Sequence, residues 1–207
     1  MTALTNRRSI MTLYADAADP LGHSVRLVLT EKDINVDIHF IDEQSKPEDL
    51  NDLNPYDSLL TLIDRDLVIY DAQIMMEYLD ERYPHPPLMP VDPVSRANNR
   101  QFRYRIVRDL YSLASEIEGD NDIAAASARK SLRDNLLALA PVFGQYPFFM
   151  SDEFSLVDLC MAPLLWRIPH YGVKLGAPAK ALIKYGDKLF DRSAFQSSLS
   201  PVEQEIR

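Results

Sequence analysis

The run Leu59-Leu60-Thr61-Leu62-Ile63-Asp64-Arg65-Asp66-Leu67-Val68-Ile69-Tyr70-Asp71 decides how the first half of the chain is built. Two β-prone segments, 59–63 and 67–70, flank the polar residues Asp64, Arg65 and Asp66. So short a connection joins only antiparallel neighbours, because a parallel crossover needs about a dozen residues or more. Asp71 then stands where a helix needs an N-cap, ahead of Ile74, Met75, Tyr78 and Leu79, which keep helical spacing as far as Arg82.

Upstream, Asn54-Pro55 ends a short helix over 46–53, since proline cannot continue it. Val36, Ile38, Phe40 and Ile41 mark a strand. Before it, Val25, Leu27, Val28 and Leu29 mark a helix entered through a loop holding Asp19, Pro20 and Gly22. Residues 10–14 form the first strand, and the order is βαβαββα over a domain spanning 1–86.

Downstream, Pro84, Pro86, Pro87, Pro90 and Pro93 fix φ and remove donors, which predicts a stiff extended connector with the domain boundary at 87–93. Residues 94–207 read as all-helical, with long helices over 94–118 and 123–143, a break at Gly144 and Pro147, and further helices over 156–168 and 179–190. Pro163 lies inside the third of these. Ser155 and Asp158 have capping-box spacing ahead of an apolar run. The tail, 197–207, is polar enough to fray.

The composition of the 207 residues, 46% hydrophobic and 26% charged, is that of an ordinary globular chain able to bury one large core or two modest ones. The net charge of −9 repels a phosphate backbone. The strongest basic cluster, Arg96, Arg100, Arg103, Arg105 and Arg108, spreads over more than one helix face, so a solvated face or a subunit interface is expected rather than sequence-specific nucleic-acid binding. Residues 1–9 carry Arg7 and Arg8 with no apolar segment behind them, and no stretch is long enough to span a bilayer, which places the chain in the cytoplasm. The single cysteine, Cys160, reads as a buried hydrophobe, and Met75, Met76 and Trp166 as core. The four histidines have no metal-ligand spacing, and His23, His39 and His170 have no partners that the sequence identifies. Asp64, Asp66, Asp120 and Asp122 lie in turns, and no metal or cofactor is expected.

A βαβαββα domain joined through a proline-rich linker to a helical domain with such a capping box resembles the glutathione S-transferase fold, whose first domain is thioredoxin-like. The resemblance covers nearly the whole chain. Within that superfamily, Asp80-Glu81-Arg82-Tyr83-Pro84-His85-Pro86-Pro87-Leu88-Met89-Pro90, LALAPVFGQ at 137–145 and FMSDEFSLVD at 149–158 resemble the stringent starvation protein A family of Gram-negative bacteria. That resemblance implies a homodimeric, RNA polymerase-associated transcription regulator that keeps the transferase fold without transferase activity. It further implies binding to the polymerase holoenzyme with σ factor contact under starvation or stress, and a dimer interface on helix 94–118.

In glutathione-binding relatives a cis-proline precedes the third strand; here Leu60 holds that position, where a cis bond would cost about 2.5–4 kcal/mol, so a trans bond is expected. The acid-serine pair that grips the γ-glutamyl end is replaced by Asp71-Ala72. For the thiolate-stabilising group only Tyr14, Ser24 and His23 are available; Tyr14 reads as a strand-end packing residue and Ser24 as a helix-start residue. The site is degenerate on this reading, and the alternative is a glutathione-dependent transferase or isomerase using Tyr14 or Ser24. The candidate partner surface is Tyr83, Pro84, His85, Pro86 and Pro87, joined by Leu88: the prolines hold His85 at low entropic cost, and the resemblance makes this stretch a functional surface.

Overall fold

The computed structural model describes residues 10–56 and 58–207. The expectation about residues 1–9 lies outside them. Strands β1 (Met11–Ala15), β2 (Val36–Phe40), β3 (Thr61–Asp64) and β4 (Leu67–Ile69) form one sheet of order β2-β1-β3-β4. β1 runs parallel to β2 and antiparallel to β3, which pairs antiparallel with β4 through Asp64↔Leu67, with Arg65 at φ 59 in the tight turn between them. Helices α1 (Pro20–Glu31), α2 (Glu48–Leu53) and α3 (Ala72–Arg82) complete the βαβαββα order. The third strand starts two residues later than its apolar run suggests; Leu59 and Leu60 precede it and line a cleft.

The second half is helical: α4 (Pro93–Arg105), a π-helical stretch (Ile106–Tyr111), α5 (Ser112–Glu118), α6 (Asp122–Leu139), α7 (Leu156–Arg167), α8 (Lys180–Phe190), α9 (Ser193–Ser198) and α10 (Pro201–Gln204). α7 continues through Pro163. The capping box forms, and the fully buried Asp158 does more than cap: its carboxylate accepts from Ser155 N–H at 2.8 Å, Phe149 N–H at 2.9 Å and Tyr185 O–H at 2.7 Å, pinning the loop before α7 and helix α8 to one point.

The two halves share one core. α1 is buried over most of its surface from Gly22 to Leu29, as an element packed on several sides must be, and it lies against α3, α7 and α9. One apolar cluster therefore runs from Leu13 and Val28 through Met75 to Leu159, Leu182 and Phe195. Of the apolar positions expected on α3, Met75 and Leu79 are buried, whereas Ile74 is 60% exposed and Met76 takes the inward place.

The tail does not fray. Ser198, Ser200 and Glu203 are buried, and α10 closes with a second capping box between Ser200 and Glu203. Among the described residues no helix is long and apolar enough to cross a membrane.

Candidate functional site

Leu60, Asp71 and Ala72 come together. With Asp16, Asp19, Leu21, Ser58, Tyr70, Gln73 and Val107 they line a cleft of about 360 Å³ at the N-terminal ends of α1 and α3. The peptide bond before Leu60 is trans. Asp71 caps α3, its Oδ1 accepting from Gln73 N–H at 2.9 Å and Ile74 N–H at 3.0 Å. Tyr14 and Ser24 are elsewhere. The Tyr14 ring stacks on His39 at 5.1 Å on the sheet face covered by Leu50, and the buried Ser24 hydroxyl donates to Pro20 C=O at 3.2 Å within α1.

Helix N-termini bind anions because their first N–H groups lack partners. At α1 that position is filled from within: Asp19 accepts from Leu21 N–H at 3.0 Å and Gly22 N–H at 2.8 Å. A Cβ on residue 22 would stand 3.1 Å from Asp19 Oδ2 and 3.3 Å from Ala15 Cβ, so glycine is what lets the carboxylate settle there. Burial raises the Asp19 carboxyl above its ordinary range, opposed by the two backbone donors and by Arg167 and Arg26. Of the charged groups lining the cleft, Asp16, Asp19 and Asp71, all are acids. Neither Ser24 nor Tyr14 lines the cleft, and among the described residues that line it none is a cation.

The proline-rich connector places Pro84, His85, Pro86 and Pro87 at the surface, with Tyr83 half-buried. It is not an extended spacer. The Lys32 ammonium, at the C-terminal end of α1, donates to Tyr83 C=O at 2.6 Å and Pro86 C=O at 2.7 Å and pairs with Asp80 Oδ1 at 2.8 Å. The chain bends round that ammonium, and the His85–Pro86 peptide is cis. Leu88 N–H then donates to the same Asp80 oxygen at 2.9 Å, and Leu88 C=O accepts from Leu156 N–H at 2.9 Å. Leu88 is thus 2% exposed and belongs to the core, not to the surface patch expected of it.

The arginines expected on the helix over 94–118 are all engaged. Arg96 pairs with Glu81, Arg100 with Glu77, Arg105 with Asp109, and Arg108 with the Tyr104 hydroxyl. Arg103 is buried and reaches Glu77, Gln73 and Asn99. Asp64, assigned to a turn, is buried and binds Tyr78 O–H at 2.6 Å and Arg82 at 2.8 Å.

One buried constellation escaped the sequence reading. His23 is fully buried and bonds Ser198 Oγ at 2.8 Å. Glu203 receives Arg26 at 2.5 Å and also the Arg167 guanidinium, and its Oε1 lies 3.5 Å from His23 Nδ1. Arg167 extends to Ala18 C=O at 2.9 Å, and Ser200 Oγ to Ala17 C=O at 2.6 Å, so the tail holds the β1–α1 loop that lines the cleft. Ser200-Pro201-Val202-Glu203 repeats the spacing of Ser155 and Asp158, with proline at the first helical position; that was the available signal. His39 likewise has partners, Asp37 at 3.1 Å and the Tyr14 ring.

Residues 13–87 match the family described as glutathione S-transferase, N-terminal domain, and residues 102–192 match glutathione S-transferase, C-terminal domain. A rice glutathione S-transferase solved in complex with glutathione superposes with a TM-score of 0.84 at 20% identity, covering 97% of this chain and 96% of that one. Fold and domain matches together define a member of the glutathione S-transferase superfamily. Two curated relatives are far more similar in sequence. The stringent starvation protein A homolog of Coxiella burnetii is 50% identical over 202 residues, 97% of each chain, and that of Pasteurella multocida is 50% identical over 200 residues, 96% of this chain and 94% of that one. The chain belongs to the stringent starvation protein A family.

Proposed function

We propose that this chain is a cytoplasmic, RNA polymerase-associated transcription regulator acting during starvation or stress. As a homodimer it binds the polymerase holoenzyme with σ factor contact and carries no transferase activity. The observation that carries the reading is 50% identity along 97% of the chain to a stringent starvation protein A homolog. The docking surface is Tyr83, Pro84, His85, Pro86 and Pro87, whose last four members are exposed. The absence of transferase activity is supported by the cleft: leucine in place of the cis-proline, alanine in place of serine, an all-acidic set of charges, and Asp19 seated on the α1 N-terminus.

Dimerisation uses the surface where β4, α3 and α4 lie together. Leu67, Tyr70 and Ile74 are 43%, 38% and 60% exposed there and line one groove, and apolar residues of that size become a patch only when grouped. Arg96, Arg100 and Arg103 of α4 act within this surface, paired with α3 carboxylates rather than free for phosphates.

The test is co-purification with RNA polymerase holoenzyme, comparing wild type with the Pro84→Ala, His85→Ala double variant. Retention of the wild type and loss with the folded variant is the expected result; no retention of either chain at moderate salt overturns the reading. The rival, a glutathione-dependent enzyme, draws on the open cleft itself. Competable retention on immobilised glutathione would establish it.

A further inference from the structure

We propose that Lys32 is the positioning residue of the Pro84-His85-Pro86 turn, holding it in the shape in which a partner meets it. An ammonium has three donors and no acceptor. Here the three donors face three acceptors, Asp80 Oδ1, Tyr83 C=O and Pro86 C=O, at 2.8, 2.6 and 2.7 Å, with the lysine side chain fully buried. The two carbonyls flank the turn and are drawn to a single atom, so the residues between them project outward. The turn has little means of doing this by itself: Pro84, Pro86 and Pro87 have no N–H, and the N–H of Tyr83 is used by Leu79 C=O at 3.0 Å. Asp80 closes the far side by accepting from Leu88 N–H. Helices α1 and α3 thus set the turn through one lysine and one aspartate.

The clamp also defines what the turn can offer. With the Tyr83 and Pro86 carbonyls directed inward, the outer face presents proline rings, the imidazole, the His85 N–H, and the carbonyls of Pro84 and His85. A complementary partner face is apolar or aromatic and supplies its own hydrogen-bond donors, as in other recognition of proline-rich backbone. This inference rests on the reading of the turn as the polymerase-docking surface.

The test uses the full chain in three forms: wild type, His85→Ala, and the double variant Lys32→Met, Asp80→Asn, which removes both buried charges together while keeping an acceptor for Leu88 N–H. Two quantities are read: amide hydrogen exchange at Tyr83 and Leu88, whose N–H groups are bonded on either side of the turn, at matched global stability, and affinity for RNA polymerase holoenzyme. In the double variant, exchange at those amides rises and affinity falls, each on the order of tenfold, the effect of releasing a preordered segment. Unchanged exchange overturns the clamp. Faster exchange with unchanged affinity overturns its role in binding. If wild type does not bind the holoenzyme, or His85→Ala binds as well as wild type, the docking reading fails instead, and the exchange measurement still decides whether Lys32 orders the turn.

Discussion

Arg26 on α1 and Glu203 in the C-terminal tail, 177 residues apart in sequence, meet at 2.5 Å with side chains 2% and 0% exposed. Arg167 completes the arrangement on the other carboxylate oxygen. Removing the carboxylate leaves two buried guanidinium groups without their counter-charge, and breaking buried ion pairs in this way costs about 3–5 kcal/mol. Glu203→Ala is therefore expected to lower stability by that amount in urea unfolding. A loss below about 1 kcal/mol would show that the tail is not what holds these arginines.

His23 shares that site and gives it a pH dependence. Burial, then Arg26 and Arg167, hold its imidazole well below the ordinary value of 6.5, so the native state keeps it neutral. Below pH 6.5 the unfolded chain binds a proton that the native chain refuses, and stability is lost as pH falls, by up to about 1.4 kcal/mol per unit. Unfolding at pH 7.5, 6 and 5 should show that slope in wild type and a flatter one in His23→Gln. Equal slopes in the two proteins would contradict the assignment.

Cys160 is fully buried, with Gln73 Nε2 at 3.7 Å from its sulfur, and burial pushes its thiol up to about 12. Since the thiolate is the reactive form, alkylation of the native protein should proceed no faster than unfolding exposes the residue. Rapid stoichiometric labelling under native conditions is the contrary result.

Two aspartates at helix N-termini should differ in weight. Asp71 is exposed and makes only the capping bonds, so Asp71→Ala should lower stability by about 1 kcal/mol. Asp158→Ala deprives Ser155 N–H, Phe149 N–H and Tyr185 O–H of their acceptor, the last two outside its own helix start, and should lower it by about 3 kcal/mol or more. Equal losses in thermal unfolding would mean that the contacts to Phe149 and Tyr185 contribute nothing.

What was legible in the sequence was local. Asp64-Arg65-Asp66 admits only a hairpin, Asp71 precedes a helical period, and Ser155 with Asp158 is a spacing that few other arrangements use; each rule spans fewer than about five residues. Leu60, Asp71 and Ala72 could be brought to one cleft through the resemblance. Lys32, Arg26, Arg167 and Glu203 could not be singled out, because each sits in an ordinary polar context and acquires meaning only from partners distant in the chain. The same blindness made the tail look free and Leu88 look exposed, since polarity and proline content record neither a buried counter-charge nor a lysine waiting beneath a turn.

The apolar interior that passes without interruption from the sheet into the helical half leaves the proline segment nothing to swing. The molecule is in effect a spacer block: under the proposed function, a partner at the His85 turn and a second copy at the face around Ile74 would be joined through that one continuous core.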